Sequence, residues 1–235
     1  MDIALKLLAV MPLADWLALA AFFVGWAGYA WFARRRGQSE QTLLATTNFY
    51  RRLWMLRVAE RENRVVDGQV VQNLSTSPSF FASTTILIIG GLLAVLGTTD
   101  KATELVGELP FAARTSVLVF DLKLVVLTGV FVYAFFRFTW SLRQYTFGAL
   151  MVASAPDRKA FEAGEVSAED FANRAGRVVG MAAEAFNDGL RAYYMAFAVL
   201  GWFVSPLWFV LGTAGVVYVL YQREFHSEVL AVLKA

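Results

Sequence analysis

Four apolar runs constrain this chain more than any other feature. They lie at about 13–33, 78–97, 116–136 and 193–221. Each approaches or exceeds the roughly 20 residues that cross a bilayer as a helix. Inside lipid, backbone polar groups are satisfied only in helices or closed barrels, and continuous apolar runs of this length select helices. The expected fold is all-α: a polytopic membrane protein with four transmembrane helices, some extended into cytoplasmic stalk helices, in one membrane domain over 1–235. The composition agrees, at 58% hydrophobic and 17% charged, where soluble domains carry about 45–50% and about 25%.

The first run ends at Arg34, Arg35 and Arg36, with no small-residue cleavage site beyond, so it reads as a stop-transfer helix and not a signal peptide. Lys and Arg are retained in cytoplasmic loops. Residues 34–77 hold eight of them and 137–191 hold seven, against Lys6, Lys101, Arg114, Arg223 and Lys234 elsewhere outside the spans. The bias places both termini outside and two substantial segments, about 40–72 and 137–191, in the cytoplasm.

Those segments have helical patterning. Residues 46–66 put Phe49, Leu53 and Leu56 at helical spacing beside a row of Arg57, Arg61 and Arg64, with Glu60 placed to pair with Arg64. Arg51, Arg52, Trp54 and Arg57 are the candidates for contact with lipid headgroups. Packing of the same helix on protein is an equal alternative. The third run continues without a breaker to Pro156, so one long helix is expected over about 114–155. A loop follows, then Ser167 and Asp170 in the arrangement of a capping box. From about 168 a second long helix is expected to run into the fourth span, with the Ser205-Pro206 pair as a place to bend.

Within "SVLVFDLKLVVLTGVFVYAFF" lie Asp121 and Lys123. Two residues apart on a helix is about 200°, so they face opposite ways and cannot pair with each other. Asp121 reads as an outer-edge residue. Lys123 starts deeper, where a charge needs a structural partner, a pore or ligand role, or a route to snorkel outward. Tyr133, Arg137, Ser141 and Gln144 form one polar stripe at the inner boundary, with Arg143 on another side. Asn187, Asp188 and Arg191 fall at the same level. The stripe suits an anion path or an interhelical network. Ser83 and Thr84, with Gly90, Gly91 and Ala94, give the second run a small, hydroxylated surface suited to packing or to a narrow pore. Trp202, Trp208, Tyr218 and Tyr221 read as lipid-facing anchors.

The runs "NFYRRLW", "VVQNLSTSPSFFASTTILIIGGLLAVLG", "DLKLVVLTGVFVYAFFRFTWSLRQY", "ASAP", "NDGLRAYYMAF" and "VYVLYQREF" occur in that order over roughly 40–225. Together they resemble the integral membrane family known as domain of unknown function 599. The resemblance implies a multi-span protein of the bacterial inner membrane. It also implies that Lys123, the Ala134-Phe135-Phe136 run, Ser141 and Arg143 are shared with other members, whereas plant-type members carry an uncharged residue at Asp121. It implies no activity.

Several chemistries lack their residues. There is no cysteine, and His226 is the only histidine, so thiolate and multi-histidine metal sites cannot form within one chain. No phosphate-binding loop or HExxH motif is present. A net charge of +2 gives no basis for nucleic-acid binding. The chain therefore reads as a non-enzyme without cofactor or metal. The first expectation for function is a homo-oligomeric channel or pore for a small ion. The alternative is a structural or accessory scaffold that organises partner proteins or lipids.

Overall fold

The computed structural model describes residues 11–36, 42–99 and 116–234. They form α1 (Leu13–Arg36), α2 (Leu43–Glu60), α3 (Val65–Leu96), α4 (Val117–Ala153), α5 (Arg158–Glu162), α6 (Ala168–Val204), α7 (Pro206–Phe225) and α8 (Glu228–Lys234). No strand occurs among the described residues. Lys6, Lys101 and Arg114, and the start of the predicted 40–72 segment, lie outside them.

The helices α1, α3 and α4 are long and apolar enough to cross a membrane. The third run does extend as expected, since α4 continues to Ala153. Ser167 caps α6, its Oγ accepting from Asp170 N at 3.2 Å.

The fourth run differs from the expectation of one spanning helix. It is broken at Ser205 into the end of α6 and the whole of α7. Pro206 has no N–H and restricts the residue before it, which ends α6; the same ring suits the first position of a new helix. Ser205 serves both ends: its N–H donates to Gly201 O at 3.1 Å, and its Oγ accepts from Trp208 N at 3.3 Å. The chain then folds back on itself. A methyl group on Gly201 would lie 2.9 Å from the Trp208 carbonyl oxygen, and one on Gly212 would lie 3.3 Å from Ala198 Cα. Only glycine permits that approach at Gly201. The Trp202 and Phe209 rings stack at 4.8 Å.

Two compact units emerge, and α3, α4 and α6 contribute to both. Unit 1 contains residues up to Arg35, 85–134 and 190–223. Its core includes Phe22, Trp202 and Phe209, with a smaller cluster of Tyr29, Ala33 and Leu220. Unit 2 contains 36–84, 135–189 and the chain from Glu224. There Met55 and Val58 of α2 pack with Tyr145 and Val152 of α4 and with Phe171, Ala175 and Val179 of α6.

Unit 2 also corrects one detail and adds a contact. Helix α2 stops at Glu60, so Arg64 cannot make the expected pair with it. Arg64 instead donates to the carbonyl oxygens of Val58, Ala155 and Pro156, while Glu60 pairs with Arg57 at 2.8 Å. The C-terminal tail is bonded to α2. Glu224 Oε1 accepts from Leu44 N at 3.1 Å, and Leu233 O accepts from Tyr50 Oη at 3.1 Å.

Candidate functional site

Lys123 is almost fully buried in unit 1, at 1% exposure. Its partner is a carbonyl: Nζ donates to Trp202 O at 2.9 Å. In a continuing helix that oxygen would accept from residue 206, but residue 206 is proline. The break in α6 therefore creates the acceptor that Lys123 fills. An ammonium group at a helix C-terminus is also favoured by the helix dipole. The Trp202 and Phe203 ring centroids lie 5.5 and 5.8 Å from Nζ, within cation–π range.

The same tryptophan carries a second buried charge. Trp202 Nε1 donates to Asp15 Oδ1 at 2.6 Å, and Asp15 lies in the first turn of α1, where a carboxylate meets the favourable end of the dipole. Asp15, Trp202 and Lys123 are all buried. They form one chain of opposite charges and hydrogen bonds, satisfied within the protein. Sequence reading missed Asp15, although an acid at the start of an apolar run was a visible signal. It also took Trp202 for a lipid-facing anchor, whereas Trp202 has 0% exposure. Trp208, Tyr218 and Tyr221 are exposed as expected. Asp121 Oδ1 is buried without a hydrogen-bond partner among the described residues.

The inner-boundary stripe is also directed into packing. In unit 2, Arg137 Nη2 donates to Asp188 Oδ2 at 2.7 Å. One turn on, Ser141 Oγ donates to Ala182 O at 2.7 Å and is fully buried. Gln144 is buried too, with no partner on Oε1 among the described residues. Beside them Phe138 touches Phe81 and Phe186 at ring distances of 5.3 and 5.7 Å. A methyl on Gly189 would meet Phe138 at 2.4 Å, so this contact requires glycine.

The remaining predicted residues do not join that cluster. Arg143 is exposed and lies over the Phe147 ring at 5.9 Å. Asn187 is half-buried. Arg191 lies over the Tyr29 ring at 5.7 Å in unit 1. Ser83 is exposed, and Thr84 Oγ1 donates to Phe80 O of its own helix at 2.9 Å. A methyl added at Gly90 or Gly91 would meet nothing within 4 Å, so that face of α3 is open.

Helix α2 packs on protein by one face and is uncovered on another. A methyl on Gly176 would lie 2.9 Å from Arg52 Cα, which brings α6 close to the α2 backbone. Arg51 donates to Thr47 Oγ1 at 3.0 Å and Asn48 Oδ1 at 2.8 Å. Burial pushes its guanidinium below the ordinary arginine value, opposed by the neighbouring Tyr145 phenol and Glu184 carboxylate. Trp54 Nε1 donates to Asp67 Oδ1 at 2.7 Å, and Arg52 Nε to Asn173 Oδ1. Phe49, Tyr50 and Leu53 are exposed, and so are Val229 and Val232 of α8. No group of three or more metal-ligating side chains occurs among the described residues.

Residues 17–229 match the family described as "Protein of unknown function, DUF599", and the chain belongs to that family. No curated protein and no solved structure matches it.

Proposed function

We propose that this family member is a structural or accessory membrane protein whose unit 2 rests on an anionic lipid surface and organises it. The observation that carries this reading is the fate of the polar side chains. Lys123, Arg137 and Ser141 are bonded within the chain. Meanwhile unit 2 exposes Phe49, Tyr50 and Leu53 on α2 and Val229 and Val232 on α8, and Tyr50 Oη donates to Leu233 O between the two helices. Exposed Arg52 and Arg57 flank Leu53, giving the apolar-plus-basic character of an interfacial helix. The Arg57–Glu60 pair is exposed on both sides, where such pairs are weak enough to yield to a phosphate. On this reading α2, the 137–189 segment and the C-terminus all face the cytoplasm of a bacterial inner membrane.

A homo-oligomeric pore for a small ion is the second reading. It rests on the open face of α3, where Ser83, Gly90 and Gly91 have no cover among the described residues. Conduction would then run between copies.

Flux in proteoliposomes separates the two. The scaffold reading expects ion leakage no faster than from empty vesicles. A selective conductance altered by Ser83→Leu, with assembly unchanged, would replace the scaffold by the pore. A polarity-sensitive fluorophore on Leu53→Cys checks the lipid surface. Its emission should shift to the blue in anionic vesicles relative to neutral ones, and equal spectra would count against lipid contact.

A further inference from the structure

The outward face of α1 carries a feature that neither functional reading uses. One stripe of that helix (Asp15, Ala18, Phe22, Tyr29 and Ala33) is buried. Another stripe, with Tyr133 of α4, lines a groove of about 440 Å³ in unit 1. Ala27 and Ala30 leave the space, because their short side chains sit between larger neighbours. Phe23, Trp26 and Tyr133 border it, and Trp26 meets Tyr133 edge-on at 5.4 Å. Phe23 and Tyr133 are 49% and 39% exposed, so the groove opens outward from a membrane-crossing helix, where lipid is the solvent.

Charge is confined to one end. Arg34 lines the groove there, and no acidic residue lines it among the described residues. Arg35 is held beside it, with its guanidinium over the Trp31 ring at 4.2 Å. Eleven residues separate Phe23 from Arg34, about 16 Å at about 1.5 Å per residue. That is close to half of the roughly 30 Å hydrocarbon core. The groove thus has the length of one leaflet, an apolar body and a cationic head.

We infer that this groove binds a single phospholipid with an anionic headgroup. One acyl chain lies along Phe23, Trp26, Ala27 and Ala30. The phosphate lies at Arg34, with Arg35 adding a second positive charge. The site needs only that the helix crosses the membrane, so it holds whether the protein is a scaffold or a pore.

Native mass spectrometry of the full chain in neutral detergent tests this, with phosphatidylglycerol and phosphatidylcholine of identical chains. Wild type should retain one phosphatidylglycerol in preference to phosphatidylcholine. Arg34→Gln should keep a lipid but lose about fivefold of the preference, the worth of one cation near a headgroup. Ala27→Phe, which fills the groove from an exposed position, should abolish retention of both lipids. Ala30→Leu, a smaller filling, provides the same readout should the bulkier variant fail to fold. Equal retention of the two lipids by wild type would overturn the inference. Unchanged retention in a folded groove-filling variant would do the same. So would loss of self-association with lipid retention intact, which would make the groove an interface between copies.

Discussion

Lys123 occupies the place where Pro206 leaves a deep carbonyl without a donor, and this makes its charge affordable inside the core of unit 1. Removing a charged donor from a buried acceptor costs about 1–3 kcal/mol. Lys123→Met should lower thermal stability in detergent by that amount, because the side chain keeps its volume and loses its ammonium. Arg137 and Asp188 form a partly buried pair, with side-chain exposures of 27% and 9%. Breaking such a pair leaves one charge without compensation. Asp188→Asn should therefore destabilise by about 1–3 kcal/mol, measured the same way. Sequence position revealed both cations, and spacing put Arg137 and Ser141 on one side of α4. It could not reveal that the side faces α6, because a polar stripe looks the same whether it meets water or another helix.

At the scale of the element, glycine decides which helices touch. Gly189→Ala drives a methyl into the Phe138 ring, and Gly201→Ala drives one against a backbone oxygen. Overpacking of this kind costs about 1–3 kcal/mol, so both variants should unfold earlier in thermal scans. Gly90→Ala meets nothing within 4 Å. It should be neutral or raise stability by up to about 1 kcal/mol through the gain in helix propensity. Loss of stability there would mean that another molecule covers that face. Both the second and fourth runs carry glycines, yet among the described residues Gly201 and Gly212 of the fourth make close contacts and Gly90 and Gly91 of the second do not. The difference is whether a neighbouring helix folds back onto the face.

For the whole molecule, the hairpin of α6 and α7 changes the predicted path of the chain. An uninterrupted fourth span would carry the C-terminus away from α2, whereas Glu224 and Leu233 bond to Leu44 and Tyr50. Because the chain has no cysteine, single cysteines can report sidedness without background. Glu62→Cys and Glu228→Cys should react with a membrane-impermeant maleimide from the same side of sealed vesicles. Labelling from opposite sides would refute this placement. The positive-charge count could not see this turn, since the tail holds only Arg223 and Lys234 beyond the last apolar run.

The sequence by itself determined the all-α class, the positions of the three long apolar helices, the long extension of α4, the cap at Ser167 and the family. These follow from properties carried locally: apolar length, helical spacing, a capping hydroxyl and proline's missing N–H. It even marked the Ser205-Pro206 pair as a place to bend. Only the tertiary structure decided that Lys123 takes the Trp202 carbonyl, that Trp202 bridges it to Asp15, and that Arg137 meets Asp188. Each of those bonds joins residues tens to hundreds of positions apart, and their partners are fixed by which helix faces meet. That depends on close approaches at single glycines and on one turn at Ser205, whose outcome no local pattern contains.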